Sequence, residues 1–492
     1  MHFFISLPKM IKQKIFNLEI NELPPRILKD YILLRPNSIL SKLKKANKLK
    51  IITTIAKDIE KEKLYPSQTW ASFNTGLPFN IHKCYWYSDP LSSEDLFWNK
   101  LVKNNISVGI LGTLHSSKYP KNLNQNQNYK FYLPDSFTDK IITKPNYYRN
   151  FCLLNSKLVS ASARVTSPLN LLKMIIKNVK KMIINPKQFG ISKFSVKEIL
   201  KIIYWAIKSR NKEFLRMAQF PLYCSIYLDQ ISNNDVSYSS IFTNHLAGNM
   251  HRYWYAYSST DFKSKNRYQK KWIQRNNQSF FYAMDLIDDF IKEIIKLDSL
   301  ERNNIILTSS MGQEANSKFD NYKLAKFDAK ITNFDLFLKN FELYKKQNNI
   351  KFDNQLKILR NMAPQYGIEV VSEDNNEVLE LASYLSDFIK SIDLKSKIDI
   401  NNFNITLTID IAANNEFQKK YTINQAKNKY YKYGFTFSKI EDHHSGSHSA
   451  KGTFAILGSN KSLENIIKNN LDDQDELDYL NIGKIIMESL KQ

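Results

Sequence analysis

The chain has 492 residues, 43% hydrophobic and 13% aromatic, with only 12 glycines and 14 prolines. That composition excludes a disordered, collagen-like or disulfide-stapled chain and leaves room for about three domain-sized units. Against 47 Asp and Glu stand 71 Lys and Arg, a net charge of +24 that favours a polyanionic partner, although lysine abundant alongside Asn and Ile spreads much of the excess over a solvated surface. Cys84, Cys152 and Cys224 are far apart and match no metal or redox spacing, which points to a reducing cytoplasm. No stretch of about 18 uncharged apolar residues occurs, so a spanning helix is not expected.

In chain order, β-type runs are expected at residues 3–7, 106–111, 238–243, 304–308 and 453–457, separated by helical periodicity. The first is too short for a secretory segment and lacks a small-residue cleavage site. Strands alternating with helices predict an α/β fold, a mostly parallel central sheet sandwiched by helices. Ligands in such sheets gather beyond the carboxyl ends of the strands, which selects residues 113–115, 244–251 and 309–313. Residues 155–234 read as a helical cap insertion. Within it Leu171, Leu172, Ile175, Ile176, Val179, Met182 and Ile183 recur at helical spacing among Lys173, Lys177, Lys180 and Lys181. Such a helix either packs on its own core or lies on an anionic membrane surface. Residues 334–430 read as a mixed second lobe, helical at 376–392 and strand-like at 404–410. The expected organisation is core over 1–154, cap over 155–234, core over 235–333, second lobe over 334–430 and a last core piece over 431–492.

Two constellations could carry chemistry. Of only eight histidines, five fall in two short stretches, His245 and His251 in the first and His443, His444 and His448 in the second. Neutral imidazole ligates zinc and similar ions, and three protein ligands with one open position is the layout of catalytic zinc; hydrogen-bonded loop histidines are the plainer reading. The second constellation is the hydroxyl-rich run from Tyr65 to Gly76, containing Ser67, Thr69, Ser72 and Thr75. A helix starting there would favour an anion at its positive end, and a hydroxyl could attack a phosphorus or sulfur centre; Ser and Thr at helix starts also serve as simple caps.

The order of these pieces resembles the alkaline phosphatase superfamily, particularly its nucleotide pyrophosphatase/phosphodiesterase-like branch. Pro66-Ser67-Gln68-Thr69-Trp70, then Thr75-Gly76, Pro78 and His82, is similar to the family's nucleophile helix, which makes Thr69 the implied nucleophile with Ser67 in reserve and His82 structural. The segments 243–254 and 305–312 resemble two further family segments. Gly446-Ser447-His448-Ser449 with Gly452-Thr453-Phe454 is similar to the segment giving the last metal-binding His. The resemblance implies a metal held by His245, His251 and His448, with His245 standing where the family has an Asp. The family's other metal site, an Asp after the first strand and a later Asp-His pair, falls here on Leu7-Pro8 and Ser310-Met311, which implies a single divalent metal, Zn with Mn as an alternative. Arg252 is the implied stabiliser of the transferring group.

The expected activity is hydrolysis or transfer of a phosphate or sulfate ester on a phosphorylated or sulfated small molecule or glycan. Peripheral membrane contact is compatible with this reading and a nucleic-acid partner is disfavoured. The alternative is a pseudoenzyme that keeps the fold as a binding or regulatory module for a phosphorylated glycan or lipid intermediate.

Overall fold

At the centre of the fold lies β1 (Lys14–Ile20), a strand whose residues from Ile15 to Ile20 are all buried. The computed structural model describes residues 13–60, 64–138, 140–160, 176, 178–264, 267–297, 300, 303–319, 326–352, 354–362, 364–372, 374–412, 414–440 and 444–491. The remaining strands are β2 (Leu49–Ile55), β3 (Val108–Leu111), β4 (Tyr129–Leu133), β5 (Tyr238–Thr243), β6 (Asn303–Thr308), β7 (Gly312–Ala315) and β8 (Phe327–Ile331). After them come β9 (Leu356–Leu359), β10 (Gln365–Val370), β11 (Lys397–Asn401), β12 (Asn404–Thr408), β13 (Phe435–Lys439), β14 (Gly446–Ser449), β15 (Lys451–Leu457) and β16 (Glu476–Asp478).

Eight of these form one sheet in the order β16-β2-β15-β6-β1-β5-β3-β4. All neighbours run parallel except β15, which is antiparallel to both β2 and β6. The fold is therefore α/β with a mostly parallel central sheet between helices, as the alternation of strands and helices predicts. The strands expected from residues 106, 238, 304 and 453 onward are β3, β5, β6 and β15. The run at 3–7 lies outside the described residues. Among the described residues the sheet begins at β1, so the pair just beyond its first strand is Asn21-Glu22 and not Leu7-Pro8.

Each face of the sheet carries its own apolar core. Phe16, Leu18 and Ile20 face the helices Gln219–Asn233, His245–Tyr257 and Lys270–Leu297. Ile15, Ile110 and Phe454 face the other way, against Trp70 and Phe73 of the helix Pro66–Thr75 and against Phe97 and Trp98. Pro66 opens that helix at a position whose N–H has no intrahelical partner in any case, and Gly76 closes it in the left-handed conformation at φ 69°. All ten of its side chains are buried, so the helix is wedged between the sheet and the chain's last helices and its hydroxyls face protein.

A third core, running from Phe327 to Phe437, belongs to a smaller lobe. Its four-stranded antiparallel sheet, β11-β12-β10-β9, carries the helices Phe334–Gln347 and Asn375–Ser391. The lobe is tied to the loop beyond the Pro66–Thr75 helix. Asn361 accepts from the Ser88 N–H at 3.0 Å, Asn401 donates to the Lys83 carbonyl at 3.0 Å and Asn404 to that of Ser88 at 3.2 Å.

Candidate metal centre

The carboxyl end of β1 turns sharply at Glu22, which sits at φ 60°. A non-glycine residue in the left-handed region costs on the order of 1 kcal/mol or more and persists only where its surroundings fix it. Here they do: the Leu23 N–H donates to Ser309 Oγ at 3.0 Å and the Leu23 carbonyl accepts from Thr453 Oγ1 at 2.8 Å. The turn aims the Glu22 carboxylate at two histidines from distant parts of the chain.

His251 comes from the helix after β5, and His448 from β14. In the β7–β14 pair His448 stands directly opposite Gln313, so both side chains leave the ribbon on one face and both reach Glu22. Glu22 Oε2 lies 2.9 Å from His251 Nε2 and 3.6 Å from His448 Nε2, and it accepts a hydrogen bond from the Gln313 amide. Asn21 donates to Glu22 Oε1 at 3.0 Å. Gly446 is required where β14 crosses the His245–Tyr257 helix, because a Cβ there would stand 2.5 Å from the Met250 carbonyl.

The orientation of the two imidazoles is set from behind. His251 Nδ1 is 3.3 Å from the Gly446 carbonyl and His448 Nδ1 is 2.6 Å from the Leu64 carbonyl; a carbonyl only accepts, so both Nδ1 atoms carry the proton. Both Nε2 atoms then converge on the carboxylate; His251 Nε2, 2.9 Å from Oε2, is placed to donate to it and would release that proton to ligate an ion. This is how a ligating histidine is held, with its far nitrogen anchored and its near one basic. One ligand atom from each of Glu22, His251 and His448 lies within 4.8 Å of the others. Burial alone would push the Glu22 carboxyl up, but the facing His251 and His448 and the Gln313 amide more than offset it and hold the group down at about 2. Burial, reinforced by His251, pushes His448 below its ordinary value against the pull of Glu22. An ionised carboxylate beside a neutral imidazole is the protonation state a divalent ion requires. Two nitrogens and one oxygen form a donor set suited to zinc or manganese.

His245 does not join this group. It is buried in the core, stacked on Phe220 with ring centroids 4.2 Å apart. Its Nδ1 lies 2.6 Å from Thr243 Oγ1 and its Nε2 2.9 Å from the Ala283 carbonyl. Desolvation lowers it to about 4, and both ring nitrogens are already engaged with protein. Of the three histidines expected together, the structure groups His251 and His448 with Glu22 and places His245 apart from them. His443 lies outside the described residues, and His444 meets the His251 ring at 5.8 Å.

Thr69 and Ser67 lie in the first turn of the Pro66–Thr75 helix, fully or nearly fully buried. Thr69 Oγ1 is 2.8 Å from Ser310 Oγ, and Ser67 Oγ donates to the Tyr85 carbonyl at 2.6 Å. The helix start adjoins the metal-capable cluster by two routes. Trp70 Nε1 donates to Asn21 Oδ1 at 2.8 Å, and the Leu64 carbonyl that anchors His448 lies just ahead of Pro66. Arg252 is next to His251 on the same helix, where successive side chains diverge by about 100°, so it leaves a different face. Its carbonyl accepts from Ser445 Oγ at 2.9 Å. His82, read as structural, has its Nε2 2.8 Å from Ser72 Oγ and its Nδ1 accepting from the Cys84 N–H.

Glu22 is the residue that sequence reasoning missed. Its signal was the segment Lys14–Ile20, trailed immediately by two side chains able to bind or orient a ligand, at the carboxyl end of a central strand.

No protein-family model matches the chain, and no curated protein matches it in sequence. Among solved structures it is similar to the phosphonoacetate hydrolase of Sinorhizobium meliloti 1021 in complex with phosphonoformate, at 9% identity over 98% of this chain and 95% of that one, TM-score 0.40. It is also similar to wild-type alkaline phosphatase PafA, at 11% identity over 98% and 96%, TM-score 0.38. Murine ectonucleotide pyrophosphatase/phosphodiesterase 5 aligns at 8% identity over 97% and 95%, TM-score 0.34.

Proposed function

We propose that the protein is a divergent metal-dependent hydrolase or transferase of phosphate or sulfate esters that works with a single divalent metal. The observation that carries this reading is the convergence of the Glu22 carboxylate and two back-anchored imidazoles beside a hydroxyl-bearing helix start. Glu22, His251 and His448 would hold the ion, Zn or Mn. When bound, it supplies positive charge that polarises the ester's transferring group. Gln313 and Asn21 keep the carboxylate aimed, and the Leu64 and Gly446 carbonyls keep both imidazoles in the ligating tautomer. Thr69 Oγ1 is the nucleophile, oriented by Ser310; as it attacks the phosphorus or sulfur centre in line, the ester bond breaks, the hydroxyl proton passes to the departing oxygen, and water (or an acceptor hydroxyl) then releases the group from Thr69. Ser67 is the reserve nucleophile, and Arg252 would neutralise charge on the transferring group only by swinging round from the helix face next to that of His251. The substrate class is a phosphorylated or sulfated small molecule or glycan.

The sequence resemblance to the alkaline phosphatase superfamily supports the same reading through the order of its motifs. Three cysteines that are buried and unpaired suit a reducing cytoplasm, and among the described residues no helix is long and apolar enough to cross a membrane.

One observation favours a second reading, a pseudoenzyme that binds a phosphorylated ligand: Thr69 is entirely buried and its hydroxyl is already partnered. The test is metal content per chain by mass spectrometry together with hydrolysis of aryl phosphate mono- and diesters. About one equivalent of metal, with turnover lost on chelation, is the expected result. Metal without turnover selects the binding module, and neither metal nor turnover overturns the one-metal reading.

A further inference from the structure

The helix Lys193–Ser209 has two opposed apolar faces, and only one of them is used. Ser195, Glu198 and Ile202 are buried against the body of the protein. On the opposite side Val196, Leu200, Ile203 and Ile207 succeed one another at spacings of four, three and four, a continuous outer stripe with Tyr204 beside it. These side chains are open to solvent, Leu200 at 61% and Ile207 at 72%. A core-facing helix needs one apolar stripe, and a second stripe on the solvent side marks an interaction surface.

The charges around the stripe have one sign. Lys193 and Lys197 line the shallow groove formed with Val196, Leu200 and Tyr204. Lys208 lies over the Tyr204 and Trp205 rings at 5.3 and 4.9 Å, and Arg210 stands just past the helix end. The acids that this helix meets, Glu198 and Asp289, pair with Lys201, and Glu198 also stands 3.5 Å from Lys197, whose side chain is still 62% exposed. Glu198 is itself on the buried side. A second helical stretch, 178–184, repeats the combination, with Ile183 74% and Ile184 63% exposed beside exposed Lys180 and Lys181.

We propose that the outer face of the Lys193–Ser209 helix is a docking surface for an anionic phospholipid bilayer. Apolar side chains on a lysine-rimmed helix enter the boundary between headgroups and acyl chains while the ammonium groups meet phosphate. A second copy of the chain suits the face poorly, because a two-fold pairing sets one lysine rim against the other. The proposal stands apart from the phosphoryl-transfer reading.

Flotation of the full chain with phosphatidylcholine vesicles, with and without phosphatidylglycerol, tests it. The protein is expected to float with the anionic vesicles alone and to be released by added salt. Leu200→Glu combined with Ile207→Glu, both at outward positions, is expected to weaken binding at least about tenfold with an unchanged thermal melt. Lys193→Glu or Lys197→Glu alone should each weaken it about fivefold or more. Failure of the wild-type chain to float, equal binding to neutral vesicles, or a double variant that floats as well as wild type each overturns the proposal. So does a concentration-dependent dimer in sedimentation that L200E/I207E breaks while vesicles go unbound.

Discussion

The two ends of the candidate site are built on opposite principles. At the Glu22 end, the Nε2 atoms of two partly open histidines converge on one carboxylate, with their far nitrogens tied to carbonyls. At the Thr69 end, hydroxyls are buried and satisfied by one another, Thr69 with Ser310 and Ser309 with the Met311 carbonyl. The first end is poised to take up a cation; the second is a closed hydrogen-bond network. Chemistry at the second end requires that the Thr69–Ser310 pair open to substrate, whereas uptake of an ion at the first requires that it replace the proton shared between His251 and Glu22. The sharpest experiments therefore separate the two ends.

The largest contrast is expected between histidines that look alike in sequence. Replacing His251 or His448 by Ala should weaken metal binding more than about a hundredfold, read by metal content after dialysis, because a direct ligand outweighs its supporting partners. His245→Ala should retain the metal and lose thermal stability instead, since it removes a buried ring stacked on Phe220. Loss of metal from the His245 variant would restore the three-histidine arrangement.

At the other end of the site, Thr69→Ala should reduce ester turnover by about a hundredfold while metal content stays at wild-type level. If Ser67→Ala has the larger effect, the reserve hydroxyl is the nucleophile. Gln313→Leu should cost about tenfold in metal affinity, measured by competition with a chelator, because Glu22 loses its amide donor.

A separate effect, on stability alone, concerns the interior below the site. Burial pushes the Glu19 carboxyl up from an ordinary 4.5 to about 8, against an opposing hydrogen bond from Thr113. Between those two values the folded chain holds a proton that the unfolded chain has released, so this residue lowers stability as pH rises. Glu19→Gln should therefore stabilise the fold by on the order of 3 kcal/mol near neutral pH, with the advantage fading toward pH 4.5. Thermal melts at several pH values check it, and a constant difference across the range would show that the carboxyl does not titrate this way.

How much of the molecule was legible in the sequence depended on where side chains face. β3, β5, β6 and β15 read correctly because each is a short, almost wholly buried run of apolar, β-branched and small or uncharged polar residues. β1 escaped because Asn17 and Glu19 interrupt its apolar residues, although both are buried in a polar network that includes Tyr238 and Thr308. With β1 unseen, the acid at its end was unseen too, and His245 was drawn into a role that Glu22 fills. His448 was legible from its glycine-rich local pattern, because Gly446 answers a backbone approach that only glycine tolerates. The cap residues Leu171, Leu172, Lys173, Ile175 and Lys177 lie outside the described residues. Of the others, Met182 packs on the core whereas Ile176, Val179 and Ile183 face solvent, a distinction that periodicity alone does not make.

The place of β15 in the sheet also governs the order in which the protein can be completed. Among the described residues this strand lies between β2 and β6 and alone joins the two halves of the sheet. Until residues 451–457 have been synthesised, β2 and β6 each present an unpaired edge, and His448, a few residues before β15, has not been delivered to Glu22. Pairing of the sheet and the meeting of His448 with Glu22 are thus coupled. A chain lacking residues 451–457 would leave β2 and β6 with unpaired, aggregation-prone edges.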